Sequence, residues 1–312
     1  MEKVLVTGGA GFIGSHLVEA LVKEDCQVRV LDNLSTGTLA NLQKTADEIE
    51  FVKGDIRDRA RVEKVLEGVD VVFHQAAFVS VPDSMQDPES CFEINVGGTH
   101  QLLEAARRQC VRRVVIASSA AVYGDNPDFP LRESASVGGR SPYAVSKRVG
   151  ELYARLYTRT LSLDVVALRY FNVYGPRQRA DSDYAAVIPI FIRRSLNGQP
   201  PVIFGDGTQS RDFVYIKDVV RANLAAASRE NLSSQIFNVC SGDEVSVQEL
   251  WKMIREITSS AEQAIHKPER PGDIYRSLGD PERAAKELGF RSREPITEGL
   301  AHTVSWMQEK IH

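Results

Sequence analysis

A glycine-rich turn near the N-terminus constrains the fold of this chain more than any other feature of its sequence. Residues 7–14 read TGGAGFIG, between a short apolar segment and an amphipathic one. In such a strand–turn–helix unit, Gly8 permits the tight turn, Gly11 lets the backbone approach a pyrophosphate, and Gly14 lets the helix pack closely on the strand. The amino end of the helix then offers N–H groups and partial positive charge to phosphates. The three glycines therefore predict a dinucleotide-binding site.

Apolar segments without polar alternation recur through the first half of the chain, with helical patterns between them. Uninterrupted apolar strands separated by helices are typical of a parallel sheet that is covered on both faces. Such sheets bind ligands at the carboxyl ends of their strands. We therefore predict an α/β fold, a doubly wound parallel (Rossmann) sheet with a smaller C-terminal α/β lobe. The predicted strands are residues 4–6, 28–31, 51–52, 69–74 and 114–117.

The second half of the chain differs from the first in its longer loops, which carry glycine and proline. We predict that residues 1–168 form the dinucleotide-binding Rossmann domain and that residues 169–312 mainly form a lobe for the substrate. Later segments near 205–240 are expected to join the first domain.

The composition excludes several classes of protein. Of 312 residues, 43% are hydrophobic and 26% are charged, which excludes disordered, collagen-like and coiled-coil chains. The net charge of −4, with both signs mixed, predicts no nucleic-acid partner. We find no apolar run long enough for a membrane span and no signal-peptide pattern. The four cysteines lie far apart, which predicts no metal site, no disulfide framework and a cytoplasmic location.

Two aspartates end predicted strands of the first domain. Asp32 follows Gly14 by 18 residues, where a carboxylate accepts hydrogen bonds from the adenosine ribose and repels a 2′-phosphate. Residues 33–37 bring no arginine or lysine, so NAD is predicted rather than NADP. Asp55 is expected to meet the adenine amino group. For each aspartate, a plain turn residue is the alternative.

A tyrosine, a lysine and a serine are the candidate catalytic residues. Tyr143 and Lys147 stand at i and i+4 in a segment with helical spacing, which places them on one face. A nearby cation stabilises phenolate, and lowering a tyrosine pKa from ~10 toward 7 needs about 4 kcal/mol. Ser119 follows the strand 114–117, where its hydroxyl can bind the reacting oxygen and relay a proton. A solvated surface pair is the alternative for Tyr143 and Lys147.

Further runs of sequence accompany these residues along nearly the whole chain. They are TGGAGFIGSHLV (7–18), DNLSTG (32–37), GDI (54–56), HQAA (74–77), SSAAVYG (118–124), YAVSK (143–147), RYFNVYGPRQ (169–178), GDGTQSRDFVYIKDV (205–219) and RPGD (270–273). With these runs the chain resembles the extended short-chain dehydrogenase/reductases and, among them, the NAD-dependent UDP-sugar 4-epimerases. The resemblance implies an isomerase in which Tyr143 takes the proton of the sugar 4-hydroxyl, Ser119 binds the 4-oxygen and Lys147 holds the nicotinamide ribose.

The resemblance also implies contacts to two ligands. The NAD contacts are Gly8, Gly11, Phe12, Ile13, Gly14, Asp32, Asn33, Ser35, Gly37, Asp55, Ile56, Gln75, Ala76, Ala77, Asn95, Tyr143, Lys147 and Tyr170. The UDP-hexose contacts are Ser80, Ser119, Tyr143, Asn172, Val187, Phe204, Arg211, Arg270, Asp273 and Ser277.

The reaction type and the sugar are less constrained. Family 4,6-dehydratases carry an acidic pair after the strand-end serine or threonine, whereas Ala120 and Ala121 stand here, which argues against dehydration. A UDP-glucuronate 4-epimerase, a decarboxylase, another nucleotide-sugar oxidoreductase and a catalytically silent NAD-sensing regulator stay open as alternatives. By resemblance, Ser277 gates the sugar pocket, and its small size together with Ser80 predicts that N-acetylated and plain UDP-hexoses both fit. Val79 replaces a lysine of many relatives, which predicts weaker retention of NAD.

Relatives of this kind commonly dimerise through two helices per subunit. The candidates here lie near Leu102–Arg107 and Tyr143–Tyr157, and we predict a homodimer. Both helices could instead simply cover the sheet.

Overall fold

A central sheet of seven parallel strands forms within the residues that the computed structural model describes, 2–180, 186–269 and 274–311. In spatial order the strands are β3 (Ile49–Lys53), β2 (Gln27–Asp32), β1 (Lys3–Thr7), β4 (Val71–His74), β5 (Arg113–Ser119), β6 (Asp164–Tyr170) and β11 (Ile236–Val239). This is the strand order of a doubly wound sheet with one strand added at an edge. The predicted Rossmann fold is therefore confirmed, and the second half of the chain supplies β11.

Helices cover both faces of this sheet. Val4 and Val6 of β1 pack into one layer and Leu5 packs into the opposite layer, because successive side chains of a strand point to opposite faces. In the described part of the chain, no helix has the length and apolar character needed to cross a membrane. The helices are α1 (Phe12–Lys23), α2 (Arg59–Val65), α3 (Val81–Gln86), α4 (Pro88–Phe92), α5 (Thr99–Arg108), α6 (Pro142–Thr160), α7 (Val187–Leu196), α8 (Ile216–Ser228), α9 (Val247–Thr258), α10 (Glu282–Glu287) and α11 (Ile296–Ile311).

Short strands of the second half form small sheets of their own. They are β7 (Asn172–Tyr174), β8 (Val202–Phe204), β9 (Ser210–Arg211), β10 (Phe213–Tyr215), β12 (Val245–Ser246), β13 (Ile265–Lys267) and β14 (Arg276–Ser277). β7 and β10 form one parallel pair, and β8 and β13 form another. A third sheet has the order β12-β9-β14. β7 begins two residues after the carboxyl end of β6.

A buried ion pair fixes α6 against the sheet. Arg169 of β6 donates to both carboxylate oxygens of Glu151 on α6, at 2.6 and 2.8 Å, and both side chains are fully buried. Ser118 of β5 donates to the same carboxylate at 2.7 Å. Burial opposes the charge on Glu151, but the hydrogen bonds and charge of Arg169 outweigh it and hold the pKa of Glu151 below its usual value. One carboxylate thus joins α6 to two neighbouring strands.

Glu151→Ala leaves the Arg169 guanidinium buried without its carboxylate, which costs about 3–5 kcal/mol. We expect the free energy of unfolding in urea to fall by that amount. As a control, Glu282→Ala breaks an exposed pair with Arg291, in which Glu282 is 69% and Arg291 is 58% exposed. This substitution should change the free energy of unfolding by less than about 1 kcal/mol. Equal losses in the two variants would contradict the role assigned to burial.

Candidate active site

The glycine turn holds α1 close to the sheet and keeps its amino end open. Gly8 has φ +69°, the left-handed region that favours glycine. A Cβ atom on Gly14 would lie 2.1 Å from the carbonyl oxygen of Gly8, so a side chain there would force helix and strand apart. No side chain caps the amino end of α1, and no acidic residue lies in its first turn. These N–H groups are therefore available to an anion.

A cavity of about 1010 Å³, here called the large cavity, extends from this turn along the carboxyl edge of the sheet. Its size, its open helix terminus and the Asp32 carboxylate suit a dinucleotide. It is lined by nearly all of the predicted NAD contacts and by the catalytic candidates: Gly8, Gly11, Phe12, Ile13, Gly14, Asp32, Asn33, Ser35, Gly37, Asp55, Ile56, Gln75, Ala76, Ala77, Ser119, Tyr143, Lys147 and Tyr170.

The two aspartates of the large cavity have backbone or side-chain partners of their own. Asp32 accepts hydrogen bonds from the N–H groups of Ala10 and Leu34, at 2.9 and 2.8 Å, which orients its carboxylate at the end of β2. The side chain of Arg57 hydrogen-bonds Asp55 and lowers the pKa of that carboxyl to about 2. Both aspartates therefore hold oriented carboxylates at the wall of the large cavity.

Ser119, Tyr143 and Lys147 converge where β5 ends against α6. Lys147 donates from Nζ to the carbonyl oxygen of Ala117 at 2.9 Å, and Nζ lies 5.6 Å from the centre of the Tyr143 ring. Burial raises the pKa of the Tyr143 phenol, whereas a hydrogen bond with Ser119 opposes this rise. Burial lowers the pKa of Lys147 to about 8, so its positive charge is present below that pH and lost above it.

Asn95, a predicted NAD contact, lies behind the wall of the large cavity. It accepts from the N–H of Phe78 at 2.7 Å and donates to the carbonyl oxygen of the same residue at 3.0 Å. It also donates to Ser146 on α6 at 2.9 Å. In this arrangement Asn95 holds the segment after β4 against α6.

A second cavity of about 420 Å³, here called the small cavity, lies beside the large one in the second half of the chain. Four of the predicted UDP-hexose contacts line it: Asn172, Val187, Phe204 and Arg211. Both cavities share the walls formed by Phe171, Val173, Gln178 and Ala186. The two cavities are therefore direct neighbours.

The other predicted substrate contacts are differently placed. Among the described residues that line the two cavities, Ser80 and Ser277 do not appear. Ser80 caps α3 by accepting from the N–H of Asp83 at 3.1 Å, and Ser277 pairs with Arg211 in the sheet β12-β9-β14. Arg270 and Asp273 lie outside the described residues.

Two neighbouring residues outside the predicted NAD and UDP-hexose contacts, Arg177 and Gln178, line the large cavity. From the sequence, Arg177 stays open only as a partner for the carboxylate of a uronic acid, and Gln178 has no assigned role. Arg177 pairs with Glu19 of α1, and its Nη1 is buried without a hydrogen-bond partner. Gln178 donates to Val173 at 3.0 Å, and its Oε1 is likewise unpartnered. Both belong to the run RYFNVYGPRQ (169–178), and membership of this run was the one sequence feature that could have indicated their place in the site.

Comparisons with known proteins agree with this geometry. The model of the NAD dependent epimerase/dehydratase family matches residues 4–240. The UDP-glucose 4-epimerase of Mycolicibacterium smegmatis is 40% identical over 99% of both chains. A UDP-N-acetylglucosamine 4-epimerase from Methanobrevibacter ruminantium, solved with UDP-N-acetylmuramic acid, superposes with TM-score 0.95 at 41% identity over 99% of both chains. A Thermus thermophilus UDP-glucose 4-epimerase solved with NAD gives TM-score 0.88 at 38% identity, over 98% of this chain and 99% of that one.

These proteins are UDP-sugar 4-epimerases, which are isomerases, so the predicted enzyme class is confirmed. Nucleotide-sugar decarboxylases and dehydratases also match, at 31–35% identity. The chain belongs to the NAD dependent epimerase/dehydratase family, and NAD is its cofactor.

Proposed function

We propose that this chain inverts C4 of a UDP-hexose and regenerates NAD in each cycle. The observation that carries the proposal is the convergence of Ser119, Tyr143 and Lys147 in the large cavity, directly beside a small cavity lined by Asn172 and Arg211. The guanidinium group of Arg211 suits the oxygens of a diphosphate. A sugar linked to a diphosphate in the small cavity would extend past the residues that both cavities share, toward Tyr143 in the large cavity.

In the proposed reaction, the phenolate of Tyr143 takes the proton of the sugar 4-hydroxyl as C4 loses a hydride. NAD, held in the large cavity, would supply the hydride acceptor for C4 and the hydride donor to its opposite face. Ser119 hydrogen-bonds the 4-oxygen, and Lys147 binds the nicotinamide ribose. After the 4-keto sugar has turned over, Tyr143 gives the proton back to the 4-oxygen, so the sugar is isomerised without net oxidation.

The phenolate of Tyr143 needs nearby positive charge, because burial raises the pKa of its phenol. Lys147 supplies one charge, 5.6 Å from the ring centre. A positively charged nicotinamide ring supplies a second in the same water-poor space. We therefore expect Tyr143 to be ionised only when the cofactor is bound.

A UDP-glucuronate 4-epimerase is the second candidate. Arg177 and Arg179 line the large cavity, and a guanidinium group suits the carboxylate of a uronic acid. Decarboxylation of such a sugar belongs to the same alternative. Dehydration is disfavoured, because Ala120 and Ala121 follow Ser119 directly and have no proton to give.

We expect the purified protein to convert UDP-GlcNAc to UDP-GalNAc without added cofactor and without net NADH, because NAD is regenerated in each cycle. Product stereochemistry, read by NMR for UDP-glucose, UDP-GlcNAc and UDP-glucuronate, identifies the sugar. A requirement for stoichiometric NAD would contradict the proposal.

Tyr143→Phe removes the proton acceptor and should lower turnover at least about 100-fold while NAD stays bound. Turnover is measured in the same assay, and bound NAD by its release on denaturation. As a control, Tyr157→Phe removes another phenol of α6, which donates to Glu104 of α5, and should keep near-normal turnover. Near-normal turnover of Tyr143→Phe would remove Tyr143 from its catalytic role.

We propose that the pocket accepts N-acetylated as well as plain UDP-hexoses. Ser277 is small and half-buried, and it pairs with Arg211, which lines the small cavity. Ser277 lines neither cavity itself, so a bulky side chain at this position would act by extending past Arg211 and reducing the space for the hexose.

Ser277→Tyr should therefore raise KM for UDP-GlcNAc at least about tenfold, since filling a pocket excludes the larger substrate by steric overlap. Turnover of UDP-glucose, measured in the same assay, serves as the internal control and should change less than roughly threefold. An equal loss for both sugars would overturn the gating role of Ser277.

We also propose that the chain forms a homodimer through α6. Val145, Leu152 and Leu156 are 53%, 50% and 46% exposed and lie on one face of this helix. Phe92 of α4, which packs against α6, is 62% exposed. A second copy of the chain would remove this apolar stripe from water.

Leu152→Asp places a charge in the proposed interface and should yield a monomer by light scattering, with an unchanged circular dichroism spectrum. Leu39→Asp, at a site 52% exposed and away from α6, serves as the control and should not change the mass. A wild-type protein that is already a monomer at micromolar concentration would refute the dimer.

Two further proposals concern organisation and location. We propose that residues 1–168 mainly hold NAD and that residues 169–312 mainly hold the sugar nucleotide, with β11 joining the main sheet. We propose a cytoplasmic location, which the four free cysteines suit: Cys26, Cys91, Cys110 and Cys240.

A further inference from the structure

A buried carboxylate lies at one end of the three-stranded sheet β12-β9-β14. Asp212 follows β9 directly and is fully buried. Its Oδ1 accepts from the backbone N–H of Ser241 and from the hydroxyl of the same residue, both at 2.7 Å. Its Oδ2 accepts from the N–H groups of Gly242 and Gly279, at 3.1 and 3.2 Å. No partner of Asp212 among these contacts is a cation.

The four hydrogen bonds of Asp212 reach the loops that adjoin the two outer strands of this sheet. Gly279 follows β14 by two residues, and the loop with Ser241 and Gly242 leads into β12. The strands themselves are two residues long, so each ladder offers only two residue pairs. The carboxylate therefore links the end of β9 to the loops beside β12 and β14 and adds to the short pairing of these strands.

The same sheet carries residues of the sugar-nucleotide site. Arg211, the neighbour of Asp212, lines the small cavity and pairs with Ser277 of β14. On its other side, Phe213 of β10 also lines the small cavity. A shift of Asp212 would move both walls.

We propose that Asp212 is a positioning residue for the sugar nucleotide, and that its ionised carboxylate holds β9 and β14 in the arrangement that receives the diphosphate and the hexose. This inference rests on the function proposed above. It assigns Asp212 no contact with the ligand.

The ionisation of Asp212 makes this role measurable. Burial raises the pKa of its carboxyl to about 6, and the hydrogen bonds from Ser241, Gly279 and Gly242 oppose the rise. Below that pH one carboxyl oxygen carries a proton that faces N–H donors. The hydrogen bonds between Asp212 and the two loops therefore weaken as pH falls.

The titratable and charged groups around Asp212 include Cys240, whose pKa burial raises well above its usual value, with Glu133 and Asp280 beside it. Glu244 and Arg276 pair across the same sheet, where Glu244 also binds Ser210, and Arg211 is the neighbour of Asp212 in sequence. Burial raises the pKa of the Glu133 carboxyl as well, and the variant Ser241→Ala separates its titration from that of Asp212. Neither a buried thiol nor a guanidinium changes charge near pH 6.

The test is the dissociation constant of UDP-glucose on the NAD-loaded enzyme between pH 5 and 8. UDP-glucose is the right probe because a terminal phosphate, as in UDP, itself titrates near pH 6. We expect the dissociation constant to rise about tenfold as pH falls through about 6, the effect of one lost hydrogen bond to a charged group. A constant that does not vary with pH would overturn the proposal.

Ser241→Ala removes a donor that stabilises the ionised carboxylate, so the pH midpoint should move upward. As a matched control, Ser292→Ala removes a hydroxyl that donates to Asp218, another fully buried carboxylate outside both cavities, and should leave the midpoint in place. Equal midpoints in wild type and Ser241→Ala would assign the titration to another group and refute the proposal.

Asp212→Asn should raise the dissociation constant of UDP-glucose at pH 7.5 about tenfold and abolish the pH dependence of this constant. Turnover at saturating substrate should change little. The wild-type pH profile tests the same point if this variant does not fold. Turnover also separates the two proposals. If the positioning role of Asp212 is wrong, the enzyme still epimerises, and its dissociation constant for UDP-glucose shows no pH midpoint. Absence of any epimerisation would instead contradict the proposed function.

Discussion

The buried ion pair between Glu151 and Arg169 is the contact on which the arrangement of the catalytic candidates depends. Glu151 lies four residues after Lys147 and eight after Tyr143, on the same face of α6. Arg169 precedes Tyr170 of the cavity wall, and Ser118, which donates to Glu151, precedes Ser119. Apolar packing lets a helix slide by a fraction of a turn, whereas a bidentate hydrogen-bonded pair does not. The pair therefore sets the position of α6 along β5 and β6.

Other polar contacts at the carboxyl edge of the sheet have the same character. Asn95 joins the segment after β4 to α6, and Asp212 joins the end of β9 to the loops that contain Ser241 and Gly279. Each side chain is buried and makes several hydrogen bonds, so it prevents small shifts of the joined segments that apolar packing alone would permit. The main sheet supplies a rigid carboxyl edge, and these contacts fix the positions of the loops and helices that follow its strands.

The sequence identified most residues of the large cavity because their positions follow from strand ends. Gly8, Asp32 and Ser119 each stand at the carboxyl end of a parallel strand, and parallel strands bring these ends to one edge. The sequence was less informative for Asn95 and Ser80. A polar side chain that binds backbone and one that binds ligand have the same composition and the same neighbours in sequence. Only the folded geometry shows that Asn95 holds Phe78 and that Ser80 caps α3.

By itself, the sequence determined the fold class, the cofactor and the identity of the catalytic candidates, because these depend on local patterns: glycine spacing, strand ends and an i, i+4 pair. Only the tertiary structure decided how the two cavities join and which buried charges hold their walls. Glu151 and Arg169 are 18 residues apart, and Asp212 and Gly279 are 67 apart. Contacts at such separations leave no periodic signal in the chain, since they arise only when distant segments pack together.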